Sequence, residues 1–299
     1  MTERLRVGVL GAAWIADRAL IPALQAAYNA APVALASRDR ARAAEMAARH
    51  SITTVHDSYE SLLADPDVDV VYIALVNSEH RNWTMHALAA GKHVLCEKPL
   101  ALNARQAREM ASAAMQSGRT LMEAFMYRFH PRMLELKETL DPPAFVHAAF
   151  SFPLTDPRNY RWHAELGGGA LLDIGCYTLD VIRWLLGEPE TVAAAIGGAD
   201  VDMTVAAALG FSDGARATAW ASLDAPEHQE LTIVRGDAVD RIAQPFTAWR
   251  DPHDPYQLMV EAFAQSVLDG AAPPRSLDDS IATAALLDRV RDVALPLRV

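Results

Sequence analysis

The sequence is poor in cysteine and in lysine. Its two cysteines, Cys96 and Cys176, are too few for a disulfide framework or a cysteine-ligated zinc site. Of the 27 basic residues only Lys92, Lys98 and Lys137 are lysines, and the others are arginines. Because the pKa of lysine shifts readily and that of arginine does not, a lysine at a strand end is a candidate for proton chemistry. Chance or a simple ion pair is the alternative.

Long apolar runs and a net positive charge are also missing. No segment reaches the roughly 18 consecutive apolar residues of a membrane span, and the opening MTERLRVGVL lacks the apolar stretch of a signal peptide. The formal charge of -11 and a pI near 5.3 argue against binding to a nucleic-acid backbone. These absences predict a cytoplasmic protein with no nucleic-acid partner and no membrane partner.

Two different patterns of secondary structure follow each other along the chain. Up to Met122, apolar strands alternate with helical periodicity, which predicts an α/β domain with a doubly wound parallel sheet. From Glu123 onward strand patterns dominate, and Asp213-Gly214 predicts a hairpin turn. We therefore predict an α/β domain over 1–122 and an α+β domain over 123–299, the latter built on a largely antiparallel sheet.

The turn after the first predicted strand has the spacing of a dinucleotide fingerprint. In VGVLGAAWIA, Gly11 ends the strand, while Ala13 and Ala16 occupy the second and third glycine positions of GxGxxG. A pyrophosphate would bind the amides of the helix that opens at Trp14 and Ile15. A methyl group at position 13 departs from the pattern, so a plain strand-to-helix turn is the alternative.

The end of the second strand, ALASRD, indicates the cofactor. Sites selective for NAD usually place an acidic side chain there, whereas Ser37 and Arg38 offer a hydroxyl and a guanidinium suited to a 2'-phosphate. We assign Asp39 to the N-cap of the helix that begins at Arg40. The pair predicts NADP, with NAD as the alternative.

Polar residues also follow the predicted fourth and fifth strands, at the edge where doubly wound sheets bind ligands. Asn77 and His80 come after the fourth strand in VYIALVNSEH, and HVLCEKPLAL sets Glu97, Lys98 and Pro99 after the fifth. The alternative is that His80 is an ordinary surface histidine and that Lys98 pairs with Glu97. Their shared location predicts that they lie near a bound dinucleotide.

A second candidate for chemistry is GGGALLDIGCYTLD. Its three consecutive glycines allow a ligand to approach the backbone, and Asp173 and Tyr177 are spaced i, i+4 on one face of the helix that follows. Next to a protonated Lys98 the pKa of the tyrosine would fall, which suits proton transfer. The alternative is a core aromatic residue and a charge near the helix start.

The motifs RVGVLGAAWIA, ASRD, VNSEH, HVLCEKPLAL, EAFMYRFHP, NYRW and GGGALLDIGCYTLD together resemble the Gfo/Idh/MocA oxidoreductase family over nearly the whole chain. The resemblance implies a Rossmann domain followed by a domain whose large open sheet often forms oligomers, hence a homodimer or homotetramer. It also implies that Glu97, Lys98 and Pro99 form the floor between nicotinamide and substrate, with a lysine–proline peptide bond that is often cis.

Tyr177 resembles the glucose-fructose oxidoreductase, xylose dehydrogenase and dihydrodiol dehydrogenase branch, in which lysine and tyrosine share the acid–base role. The NYRW motif is similar to that branch as well, which implies that Arg161 and Trp162 line the active site. Three features depart from the family: Ala13, Val76 in place of a common proline, and a segment between residues 236 and 256 that is shorter than in typical members.

The resemblance implies an NADP-dependent oxidoreductase that transfers a hydride between nicotinamide and a sugar or another small polyhydroxylated ring, with oxidation of an aldose at C1 favoured. A trans-dihydrodiol dehydrogenase, a keto-sugar reductase and a non-catalytic dinucleotide sensor are the alternatives, although a sensor has no chemical reason to keep these groups. No metal is expected. The assigned residues are catalytic Lys98, Tyr177 and Asp173; cofactor-binding Gly11, Ala13, Trp14, Ile15, Ser37, Arg38, Asn77, His80, Glu97 and Lys98; substrate-binding Lys98, Arg161, Trp162, Asp173 and Tyr177.

Overall fold

The computed structural model describes residues 4–140, 145–247 and 252–297. Their contacts divide them into two compact units. The first unit contains 4–101, 105–130 and 252–280, and the second contains 102–104, 131–140, 145–247 and 281–297. Within these described ranges, no helix combines the length and apolar character needed to cross a membrane.

The first unit is built on a parallel sheet whose strand order is β3-β2-β1-β4-β5-β6. Its strands are apolar and buried because helices cover both faces, as in β4, where all four residues are buried. The order reverses between β1 and β4, and ligands of such sheets bind outside the carboxyl ends of the strands at that point. Along the chain the elements are β1 (Leu5–Leu10), α1 (Ile21–Ala26), β2 (Ala30–Ala36), α2 (Arg40–Arg49), β3 (Thr54–His56), α3 (Tyr59–Leu63), β4 (Val70–Ile73), α4 (His80–Ala89), β5 (His93–Glu97), α5 (Ala104–Ser117) and β6 (Leu121–Ala124).

The second unit is built on a mixed sheet with the order β12-β11-β7-β10-β9-β8-β13. Most neighbouring strands are antiparallel, including the hairpin at Asp213-Gly214, but β7 pairs with β10 and β8 with β13 in parallel. The predicted fold classes of both domains are therefore confirmed. The elements are α6 (Pro131–Thr139), β7 (Phe145–Ser151), α7 (Cys176–Leu186), β8 (Thr191–Gly197), β9 (Thr204–Gly210), β10 (Arg216–Ser222), β11 (His228–Arg235), β12 (Ala238–Ala243) and β13 (Ala294–Pro296).

The two faces of this second sheet differ. Helix α7 packs against β7 and β10 on one face. On β8 and β9 the side chains of Ala193 and Ala208 are exposed, while Ala207 and Leu209, which alternate with Ala208, are buried. Because successive strand residues point to opposite faces, β8 and β9 present small side chains away from the core.

Two further helices lie near the C-terminus. Helix α8 (Pro255–Asp269) is capped by Asp254, which accepts a hydrogen bond from the Tyr256 N–H at 2.9 Å. It packs against α1, β2 and the 3-10 turn Met126–Phe129 of the first unit. Helix α9 (Leu277–Val293) begins in the first unit and continues in the second.

The return of residues 252–280 to the first unit has no counterpart in the prediction, which divided the chain once, after residue 122. Periodicity identifies α8 as a helix, but it does not tell which sheet covers its apolar face. The segment from 236 to 256 contains β12, and its residues 248–251 lie outside the described residues.

Candidate active site

The turn after β1 requires a glycine at position 11. Gly11 has φ 103°, and its N–H donates to the Ala36 carbonyl at the end of β2 at 2.8 Å. A Cβ at this position would overlap the carbonyl oxygen of Ala74, so the turn lies directly against the end of β4. The helix then opens at Trp14, whose indole is 72% exposed. The geometry fits a pyrophosphate on the opening amides.

The end of β2 presents an exposed guanidinium. Arg38 is exposed and lies next to Tyr59: burial raises the pKa of that tyrosine, and Arg38 opposes the shift. Asp39 caps α2, because its side chain accepts the Arg42 N–H at 3.0 Å. The Ser37 hydroxyl accepts the Asp39 N–H at 3.3 Å. The acidic residue is thus committed to the helix start, and the remaining polar groups suit a 2'-phosphate.

Two residues that were predicted to contact the cofactor, Asn77 and His80, follow β4. Asn77 is buried in a 3-10 turn, and His80, the first residue of α4, is 0% exposed. The two ring nitrogens of His80 face the carbonyl oxygens of Pro99 at 2.8 Å and Leu75 at 3.1 Å. Burial lowers the pKa of His80, and the two carbonyls oppose the shift. In the structure both ring nitrogens of His80 thus face backbone carbonyls, and the assignment of His80 to the cofactor stays a prediction.

The last residue of β5 and the three residues after it, 97–100, form a fixed segment that we call the EKPL segment. The peptide bond between Lys98 and Pro99 is cis. The Glu97 carboxylate accepts a hydrogen bond from the Tyr72 hydroxyl and another from the Lys98 N–H, the latter at 3.2 Å. Burial raises the pKa of Glu97, and the charge of Lys98 opposes this. The lysine side chain is half-buried at the carboxyl edge of the sheet.

A buried ionic network holds the far end of the EKPL segment. The Leu100 N–H donates to Glu123 Oε1 at 2.7 Å, and Arg275 donates to Glu123 Oε2 through Nε at 3.1 Å and Nη2 at 2.9 Å. Arg275 is 3% exposed, also binds Asp279 at 2.7 Å, and lies 4.7 Å from the ring centre of Phe125. Neither Glu123 nor Arg275 was predicted as a site residue, and the sequence carries no signal for their pairing.

In the second unit the NYRW turn and the glycine triplet close on each other. Arg161 donates to Asp173 Oδ2 through Nε at 2.6 Å, and its guanidinium carbon lies 4.9 Å from the ring centre of Tyr160. The Arg161 carbonyl accepts the Gly169 N–H at 3.0 Å, and a Cβ on Gly168 would overlap that carbonyl. The close approach that the glycines permit is therefore made by the chain itself, where the sequence predicted a ligand.

Tyr177 lies in an aromatic environment. It is 6% exposed, and its ring centre is 5.6 Å from that of Phe150 and 5.5 Å from that of Phe246. Asp173, four residues earlier, is 1% exposed and belongs to a π-helical turn, Leu171–Gly175, that leads into α7. Burial lowers the pKa of Arg161, but the charge of Asp173, the hydrogen bond to it and the charges of Tyr160 and Tyr177 together outweigh burial and raise that pKa.

The predicted residues thus form two groups. Gly11, Arg38 and the EKPL segment lie at the carboxyl edge of the parallel sheet in the first unit. Arg161, Asp173 and Tyr177 are clustered in the second unit. Trp162 is half-buried, and its indole N–H donates to the Asp156 carbonyl at 3.0 Å. The assignment of individual residues to cofactor and substrate stays a prediction.

Comparison with known proteins identifies both halves of the chain. Residues 5–125 match a family model described as an oxidoreductase family with an NAD-binding Rossmann fold, and residues 137–238 match the GFO/IDH/MocA C-terminal domain. The D-xylose 1-dehydrogenase (NADP(+)) 2 of Haloferax volcanii is 37% identical over an alignment of 314 positions that covers 96% of this chain and 96% of its own. The trans-1,2-dihydrobenzene-1,2-diol dehydrogenase of Xenopus laevis is 41% identical over 190 residues, which cover 60% of this chain and 57% of its own.

A solved structure agrees over the same length. KijD10, a 3-ketoreductase from Actinomadura kijaniata in complex with NADP and TDP-benzene, matches with a TM-score of 0.88 and 31% identity over 99% of both chains. Fold and turn geometry define an oxidoreductase with a dinucleotide-binding Rossmann domain. The chain belongs to the Gfo/Idh/MocA oxidoreductase family, as the motifs predicted.

Proposed function

We propose that this protein is an NADP-dependent oxidoreductase that oxidises a small polyhydroxylated ring at a carbinol carbon, in the favoured case an aldose at C1 to its lactone. The observation that carries the proposal is the EKPL segment, which is fixed at both ends and presents Lys98 at the ligand-binding edge of the sheet. Full-length similarity to an NADP-dependent xylose dehydrogenase supports a sugar substrate.

In the proposed reaction an alcohol and NADP⁺ give a carbonyl compound, NADPH and a proton. When bound, nicotinamide supplies the hydride acceptor at C4. Tyr177 accepts the proton of the substrate hydroxyl, and Lys98 binds the substrate oxygen. Glu97 holds the main chain of Lys98 through its hydrogen bond to the lysine N–H. Asp173 positions Tyr177 in concert with its partner Arg161.

The preference for NADP rests on the end of β2. Arg38 is exposed there, and the acidic residue next to it caps a helix. A guanidinium binds phosphate through charge-assisted hydrogen bonds, which the diol of NAD does not offer to the same extent.

The reverse reaction is the second candidate, because the chain resembles a 3-ketoreductase over its whole length. A keto-sugar reductase uses the same groups, with Tyr177 donating the proton that it would otherwise accept. Oxidation of a trans-dihydrodiol is a third variant, which the similarity to dihydrodiol dehydrogenases supports. A dinucleotide sensor is disfavoured, since it has no use for a fixed lysine.

The test is turnover of a substrate panel. The purified protein is supplied with NADP or NAD, and the absorbance of reduced nicotinamide is followed with pentoses, hexoses, inositols, trans-dihydrodiols and, with NADPH, keto-sugars. We expect turnover with NADP and an aldose. Turnover only with a keto-sugar and NADPH would assign the reductase direction, and tight NADP binding without any turnover would support the sensor.

We also propose that the chain forms a homodimer or homotetramer in the cytoplasm through the outer face of the sheet in the second unit. The small side chains of β8 and β9 on that face allow close approach of another sheet.

A further inference from the structure

The surroundings of Tyr177 oppose the ionised form that the proposed function needs. Its ring is buried against Phe150 and Phe246, and desolvation disfavours a phenolate. Asp173, one turn earlier, brings a negative charge that disfavours it further. A tyrosine in this position therefore requires a positive group to act as a base near neutral pH.

Within the described residues, the two strands against which α7 packs, β7 and β10, do not supply such a group. The titratable side chains of β7 and β10 are His147 and Arg216, and each lies an odd number of positions from a residue that faces α7, namely Phe150 and Ala221. Because strand residues alternate between faces, both point to the other side of the sheet. His147 is bonded there to Thr218 at 2.8 Å.

Arg161 is a cation of the second unit that meets the requirement. Its Nε lies 2.6 Å from Asp173, and its charge interacts with those of Tyr160 and Tyr177. The position of Arg161 is fixed by the glycine triplet, whose Gly169 N–H binds the Arg161 carbonyl, and by the N–H of Arg161 itself, which donates to Asn159 Oδ1 at 3.1 Å.

We propose that Arg161 is a positioning residue that neutralises Asp173 and thereby keeps Tyr177 able to ionise, in place of the substrate contact assigned from the sequence. This role rests on the proposed function, because ionisation of Tyr177 matters only if it accepts a proton. The pair Arg161–Asp173 also explains why a buried carboxylate is tolerated one turn from the base.

The test measures the titration of Tyr177 in the protein without substrate. Tyrosinate absorbance is recorded against pH for the wild type and for Tyr177→Phe, and the difference gives the Tyr177 transition. The same difference is taken in the Arg161→Met background, with circular dichroism to define the pH range in which the fold is intact.

We expect Arg161→Met to move the transition to higher pH by about one unit or more, as for the loss of a nearby opposite charge. Arg161→Lys should restore most of the shift, and so should Arg161→Met/Asp173→Asn, which removes both charges. A merely structural role would loosen the packing, expose the ring and move the transition downward. An unchanged or lowered transition in Arg161→Met would overturn the inference.

Asp173→Asn provides a second, shape-conserving variant if Arg161→Met does not fold. It leaves the Arg161 charge without its carboxylate, so the Tyr177 transition should move to lower pH, and no shift or a rise would contradict the proposal. Since neither measurement needs turnover, failure of the substrate panel would reject the proposed function without affecting this result.

Discussion

Tyr177 and Lys98 differ in how closely the protein surrounds them. The tyrosine ring is almost fully buried between two phenylalanines, whereas the lysine side chain is half-buried at the end of its strand. The aromatic packing holds the phenol in place, so its hydroxyl can be removed without disturbing the ring. This separates chemistry from packing in a single substitution.

We expect Tyr177→Phe to lower turnover by about 100- to 10,000-fold, the usual loss when an acid–base group is removed, and Lys98→Ala to fall in the same range. NADP affinity and the free energy of unfolding should stay close to wild type in Tyr177→Phe. Initial rates measure turnover, and fluorescence titration with NADP measures the affinity for the cofactor. Lys137→Ala, at an exposed lysine, is the matched control and should keep full turnover. Full activity in either site variant would remove that residue from the mechanism.

Arg38 should decide between the two dinucleotides. Because hydrogen bonds to a charged group contribute about 1.5–3 kcal/mol, Arg38→Ala should weaken NADP binding about 10- to 100-fold and leave NAD binding almost unchanged. Dissociation constants for both cofactors provide the measurement. Arg40→Ala is the control, since Arg40 is exposed and pairs with Asp57 at 2.7 Å. Equal losses for both cofactors would show that Arg38 does not read the 2'-phosphate.

Among the helices and strands, periodicity predicts the long elements well and short or edge elements poorly. The apolar run predicts a strand over 5–10 and the amphipathic repeat a helix over 104–117, and β1 and α5 have these bounds. The short strand β3 and the helix α6 were not predicted, since three to nine residues hold little periodic signal. For α3 the sequence carries only a capping signal at Asp57 and Glu60, whereas the structure has the capping box at Ser58 and Ser61. Strand pairing was also beyond local pattern, as in the parallel contact of β7 with β10.

The candidate site, too, has features that the sequence predicts and features that it does not. The motifs located the EKPL segment and the cluster around Asp173, because both lie at predictable ends of elements. The sequence could not tell that His80 turns inward, nor that Glu123 meets Arg275, because these tertiary contacts join residues 19 and 152 positions apart in the chain. Partner choice among charged residues is set by the fold and leaves no periodic trace.

The network beneath the EKPL segment predicts a coupling between β6 and the segment before α9. Arg275→Met should lower the free energy of unfolding by about 3–5 kcal/mol, because it leaves the buried Glu123 carboxylate without its guanidinium. Urea unfolding measures the loss. The double variant Arg275→Met/Glu123→Gln should recover much of it, since the buried charge is then gone. A loss that is equal in the single and double variants would show that packing, not charge, is responsible.

For the molecule as a whole, the outer face of the sheet in the second unit predicts assembly. Ala208→Arg places a long charged side chain on that face and should convert the oligomer to a monomer, with NADP binding retained. Light scattering coupled to size-exclusion chromatography measures the mass. Gln116→Arg, on an exposed position of α5 in the first unit, is the control and should leave the mass unchanged. A wild-type monomer, or an oligomer that tolerates Ala208→Arg, would exclude this face as the interface.

The return of residues 252–280 to the first unit has a consequence for how the protein is made. A growing chain leaves the first unit after residue 130 and re-enters it at 252, and at about 5–20 residues per second the ribosome needs roughly ten seconds for the distance. Until then α1 and β2 lack the cover of α8, and Glu123 lacks Arg275. The dinucleotide-binding half is translated first, yet it is completed only when nearly the whole chain has been synthesised.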